Sequence, residues 1–122
     1  MNNLEIVGRI LENSFSHPSP SGTYSLKHRL DGQRLTLNYA TIVHFASEKS
    51  LQLQLTSIRE QSAQMVDDSL AKLKKDFREQ SGSTLKLEDR GGNDDLELIS
   101  ATTNSPRKVA YFRYSRVLEI NN

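Results

Sequence analysis

Apolar residues in the middle of the chain recur three or four positions apart: Ile58, Met65/Val66, Leu70, Leu73 and Phe77. Ser62 and Ser69 fill small positions on the same face. One stripe of this kind predicts an amphipathic helix over residues 58–81. Ser57-Ile58-Arg59-Glu60 reads as a capping box at its start, because a serine oxygen can accept from the third helical N–H while the glutamate reaches back. Lys72, Lys74, Lys75 and Arg78 load the final turns, where cations suit the helix dipole, and Gly82 is a natural left-handed stop. At 1.5 Å per residue such a helix is roughly 35 Å long, enough to cover a small sheet.

A shorter stripe, Leu4, Val7, Ile10/Leu11 and Phe15, predicts an N-terminal helix within residues 1–15, with Asn2 or Asn3 as its N-cap. Residues 16–22 hold Pro18, Pro20 and Gly22. Prolines remove donors and disfavour helix before them, so this stretch reads as a linker. A helix tethered this way either packs on its own sheet or docks on a partner.

Elsewhere the period falls to two. Asp31-Gly32 is a two-residue turn signal of the type I′ kind. It pairs Leu30 with Gln33, His28 with Leu35, Leu26 with Leu37 and Tyr24 with Tyr39, and so gathers the apolar side chains on one face. The second strand runs on through Thr41, Val43 and Phe45. Leu51, Leu53 and Leu55 alternate with polar residues and predict a third strand over residues 51–56. Residues 23–57 then form a three-stranded meander. After Gly82 the pattern predicts strands at residues 84–88, 96–102 and 108–120, joined by turns at residues 89–94 and 103–107, a second meander over residues 83–120. Leu85, Leu87, Leu96 and Leu98 point one way; Ile99, Ala101, Ala110 and Phe112 point the other. Two apolar faces need two covers. The reading is one α+β domain over residues 1–122, in the order αβββαβββ, with an antiparallel sheet packed against one long central helix and a short N-terminal one.

Composition changes this picture little. Sixteen basic residues against fifteen acidic ones leave a net charge of +1, so no whole-chain basic footprint for nucleic acid exists, although local patches can. There is no cysteine and hence no disulfide framework or thiolate chemistry. No leader, lipidation motif or long apolar run is found, and the chain reads as a cytoplasmic protein with no membrane association. A low apolar content without tryptophan implies a thin core that a partner helps to complete.

Candidate chemistry is sparse. His17, His28 and His44 lack the spacing of a zinc site. The acidic run from Glu88 to Asp95 has oxygen ligands but not the spacing of a calcium loop, and reads as a solvated hairpin turn in which Gly91-Gly92 supply positive φ angles. No phosphate loop or nucleophile elbow is present. Asp67-Asp68 fall on the solvent side of the long helix. No catalytic residue, metal or cofactor is therefore expected. The most informative stretch is residues 106–116, where basic and aromatic residues alternate. Arg107, Lys108, Tyr111, Arg113, Tyr114 and Arg116 are the candidates for a single-stranded nucleic-acid surface. The competing readings make Phe112 core and the tyrosines its rim, or treat Tyr and Arg as protein-interface anchors.

The order of elements resembles that of small structural subunits of tailed-phage virions, of the neck, tail-terminator and tail-completion type: an N-terminal helix, a long hairpin, a helix on the sheet, and closing strands. The resemblance implies a non-enzymatic subunit that assembles with other protein subunits, homo- or hetero-oligomeric, in a ring, first in the host cytoplasm and then in the virion. It carries no functional residue with it. On the residues themselves, the expected interface is the closing hairpin and the first helix, with Leu96, Leu98, Tyr111, Arg113, Leu4 and Val7 as its candidates; the alternative is the nucleic-acid surface above.

Overall fold

A computed structural model describes residues 2–14, 23–91, 95–102 and 108–121. The expected linker and the turn at residues 103–107, with His17, Phe15 and Arg107, lie outside the described residues. Helix α1 spans Asn3–Ser14. Its cap is Asn2, whose Oδ1 accepts from the Glu5 N–H at 2.9 Å while its side-chain amide donates to the Glu5 carboxylate at 3.2 Å. The hairpin strands are β1, Tyr24–Asp31, and β2, Arg34–Phe45. Helix α2 runs Glu48–Ser81. Strands β3, Leu87–Asp89, β4, Glu97–Thr102, and β5, Lys108–Ile120, close the fold. The architecture is the expected α+β one, with a single antiparallel sheet of five strands.

The expected strand at residues 51–56 does not form: those residues are the first turns of α2, and only two strands precede the long helix. Leu51, Leu55 and Ile58 continue the helical stripe backwards, and they pack with Phe45, Val43, Ala110 and Phe112. Leu53, the residue that made the alternation look strand-like, is 77 % exposed. The cap moves accordingly. Ser47, not Ser57, is the N-cap: its hydroxyl accepts from the Ser50 N–H and the Ser50 hydroxyl accepts from the Ser47 N–H, at 3.1 and 3.0 Å. Gly82 ends the helix at φ +73°, as the sequence suggested. With 34 residues α2 is about 50 Å long.

The hairpin turns one residue later than expected. Asp31 pairs with Arg34, leaving Gly32 and Gln33 as the loop. Gly32 has φ +60° and, among the described residues, no non-glycine one has a positive φ, which is the type II′ arrangement rather than I′. Leu30 consequently faces Leu35, His28 faces Leu37 and Leu26 faces Tyr39. A shift of two in pairing keeps every side chain on its face, so the apolar face survives the wrong register.

β5 is the central strand of the far half. Along one edge it pairs with all of β2, from Phe45 opposite Lys108 to Arg34 opposite Glu119. Along its other edge β4 and β3 lie one after the other. They pair with β5 in succession and not with each other, so the expected hairpin between them does not form. After β3, Gly91, at φ +85°, donates its N–H to the Asp89 carboxylate at 2.7 Å. There are thus not two meanders but one sheet.

Both helices cover the same side of it. Ile6, Val7, Ile10 and Leu11 of α1 and Val66, Leu70, Leu73 and Phe77 of α2 meet Leu26, Leu35, Leu37, Tyr39, Tyr114, Leu118 and Ile120 in the main core. Burying such side chains is worth roughly 1.5–3 kcal/mol each before the entropy of ordering them is counted. The opposite side of the sheet has no helix on it among the described residues.

Candidate functional site

The side of the sheet that the helices leave bare is built from the outward phase of each strand: Ser25, Lys27 and Arg29 of β1, Ala40, Ile42 and His44 of β2, and Val109, Tyr111, Arg113 and Ser115 of β5. At one end it is apolar. Ile42, Ala40, Tyr111 and Ile99 line a shallow groove of about 410 Å³ with Arg113 and Thr23 at its rim. Ile99 reaches that face through a β-bulge. Leu98 opposes Phe112, yet Ser100 opposes Tyr111, so Ile99 is the extra residue and the alternation of β4 breaks there. Leu98 is left on the helix side, 52 % exposed, and Ile99 on the bare side, 50 % exposed. The expected division of this hairpin into two apolar faces is therefore corrected: Leu98, Ala101, Ala110 and Phe112 share the helix side, and Ile99 alone crosses over.

Leu98 stays exposed while α2 packs mainly over β2 and β5. Every position of β4 after Glu97 is exposed. Leu96, just before β4, is half-buried against both core clusters.

The proposed interface residues thus separate. Tyr111 is 42 % exposed on the bare face. Arg113 stands next to it and donates to the Glu97 carboxylate at 3.1 Å, a cross-strand ion pair of surface type. Leu4 is half-buried on the core. Val7 has no exposed surface at all, so it is a core residue and not part of an interface.

The basic–aromatic strand separates in the same way, because neighbouring residues of β5 face opposite sides. Tyr111 and Arg113 point to the bare face, while Tyr114 and Arg116 point under α2. Tyr114 is buried. Arg116 donates to the Asp67 carboxylate of α2 and, at 2.8 Å, to the Tyr114 hydroxyl, with its guanidinium 5.7 Å from that ring's centre. Burial works against the Arg116 charge, but the bonds to Asp67 and Tyr114 outweigh it and hold its pKa above the ordinary value. These residues clip the helix to the sheet, Tyr114 buried and Arg116 mostly covered beside Asp67. Asp67 is correspondingly not a free solvent carboxylate. Lys108, half-buried opposite Phe45, also lies on the helix side.

A second cavity, about 310 Å³, lies on the helix side between β2 and the first half of α2, bordered by Thr41, Val43, Gln54, Ser57, Ile58 and Gln61. Its origin is local. Small and polar side chains stand there on both elements, and β1 ends beside Thr41 and so leaves that flank open. His28 faces the core from β1 and His44 is exposed on the bare face, so the two do not converge. Among the described residues no group of three metal-ligating side chains gathers, and no helix is long and apolar enough to cross a membrane.

Sequence reasoning missed Ala40 and Ile42 as surface residues, although their signal was present: they occupy the outward phase of a strand whose inward phase was already assigned. Comparison with known protein families, curated proteins and solved structures finds no match to this chain.

Proposed function

We propose that this chain is a non-enzymatic assembly subunit that joins other protein subunits through β4 and the adjoining bare face. One observation supports this most directly: β4 exposes a large apolar residue on each of its sides, Leu98 and Ile99, at an edge of the sheet. Tyr111, the type of residue enriched in interface centres, stands beside Ile99 in the groove. A lone exposed leucine needs no explanation, but Leu-Ile-Ser-Ala-Thr leaves an uncharged, proline-free stretch on a strand edge, interrupted only by the bulge at Ile99. The finer reading, a neck or tail component of a phage particle, agrees with such a role and rests on the order of elements alone.

The test is the solution mass of the purified chain by light scattering, at low and high salt. An oligomer that persists in high salt, and that Leu98→Asp with Tyr111→Asp returns to monomer without loss of helical signal, supports the reading. A chain that stays monomeric at every concentration reached refutes self-assembly. The nucleic-acid alternative keeps only Tyr111 and Arg113 of its described residues on an open face. A salt-dependent affinity for single-stranded RNA or DNA that Arg113→Ala abolishes would favour it over assembly.

A further inference from the structure

Resting on the assembly reading, we infer that the occupant of β4 is strand β1 of a second copy of this chain, joined head to tail so that the five-stranded sheets run on from copy to copy. Four features of the fold point to that partner.

The first is direction. The sheet order makes β1 and β4 opposite ends of one antiparallel sheet, separated by β2 and β5. β1 therefore runs antiparallel to β4, and a neighbour in the same orientation offers β1 as the next antiparallel strand. No inversion of the subunit is needed.

The second is charge. β1 carries Lys27 and Arg29 on its outward phase, and β4 begins with Glu97. An antiparallel pairing that sets Glu97 against the neighbour's Arg29 joins it to a line of alternating charges with Arg113. Two copies of β4 paired with each other would bring no basic residue to Glu97.

The third is coverage. A partner laid on the bare face would bury Ile99 but not Leu98, which lies on the other side. A strand added to the edge flanks both. With Glu97 opposite Arg29, Leu98 falls opposite His28 on the helix side. There the neighbour's α1, which packs over β1 and leaves Leu4 half-buried, extends the helix layer across the uncovered side of β4.

The fourth is stagger. Within one copy Glu97 lies level with Ser25, through Arg113 and Ala40. Pairing it with Arg29 displaces each copy by four residues, ~13 Å along the strands, and sets residues 25–29 of β1 along the six of β4, with the bulged Ile99 as the extra residue so that Ala101 meets Leu26 on the helix side. Four strand positions span ~19 Å of sheet. That slope corresponds to strands tilted by about 35°, the low end of the tilt found in closed sheets, so the contact can close into a ring.

The experiment uses two charge-reversed variants of the whole chain, Lys27→Glu with Arg29→Glu, and Glu97→Lys, each checked for native helical signal. The expected result is that each variant alone falls to monomer mass, its self-association weakened at least about tenfold, while an equimolar mixture recovers the wild-type mass. The mixture recovers because each junction again joins a basic and an acidic strand. A wild type that assembles while the β1 reversal leaves its mass unchanged overturns the head-to-tail pairing and leaves the assembly reading standing. Loss of mass in both variants without recovery on mixing overturns it too. A wild type that is monomeric throughout overturns both.

Discussion

Three leucines at the start of α2 provide the sharpest check on the fold, because a strand and a helix treat them differently. In a strand Leu51, Leu53 and Leu55 share one face, and replacing any of them costs the same. In the helix Leu51 and Leu55 lie on the buried stripe with Ile58, while Leu53 points outward and is 77 % exposed. A fully buried leucine is worth roughly 2–3 kcal/mol, so Leu53, with about a quarter of its surface covered, contributes ~0.5 kcal/mol. Gln has nearly the helix propensity of Leu, so Leu53→Gln carries little further cost. Leu55→Gln removes packing from Phe45 and Ile58 and places an amide in an apolar cluster, at about 1.5–3 kcal/mol. For a chain of this length that is a fall in melting temperature of roughly 5–12 °C, against about 2 °C for Leu53→Gln. The assay is urea unfolding followed by circular dichroism, comparing midpoints at unchanged slope. Equal losses at positions 53 and 55 would refute the helical register of this segment, and with it the assignment of β5 as the partner of β2.

Other outcomes follow from the same structure. Asp67→Ala leaves the Arg116 guanidinium short of its carboxylate beneath the helix and is expected to cost about 1–3 kcal/mol by the same unfolding assay, whereas Asp68→Ala, on the exposed side of α2, stays within about 0.5 kcal/mol. Gly32→Ala forces a side chain into the positive-φ position of the hairpin and is expected to destabilise by about 1–2 kcal/mol, although a Cβ there meets nothing within 4 Å. Burial holds the His28 pKa below its ordinary 6.5, against the pull of the Glu12 carboxylate. The unfolded chain therefore takes up that proton first, so the contribution of His28 is whole above about pH 6.5 and is lost as the pH falls below it. The wild type is expected to lose more stability between about pH 7.5 and pH 5.5 than His28→Leu does; equal losses would show that His28 does not report on the α1–β1 contact.

Much of the fold was legible from spacing alone. α1, its Asn cap, the two hairpin strands, the lower two-thirds of α2 with its Gly82 stop, and the full length of β5 all follow from periods of 3.6 or two and from their punctuation. These are local signals, carried within a few residues. The places where reading failed are those where a local pattern fits two structures. Leu51-Gln-Leu-Gln-Leu satisfies a strand by alternation and a helix through Leu51, Leu55 and Ile58. Nothing within the segment chooses between them; contact with Phe45 and Phe112, distant in sequence, does.

The class of fold follows from which residues are apolar and how each element spaces them. Which strands neighbour which does not follow from that spacing. Only the tertiary structure placed β5 beside β2 and β4 and β3 end to end along its far edge, because pairing depends on which long strands can bury their faces together. The candidate site was decided at that level too. The alternation of basic and aromatic residues on β5 is real, but a strand sends neighbours to opposite sides, and the two helices lie on one side only. That placement put Tyr114 and Arg116 on the helix side and left Tyr111 and Arg113 on the bare one. One bulge at Ile99 then shared the apolar residues of β4 between its two sides, a displacement of a single residue that only the pairing with β5 could impose.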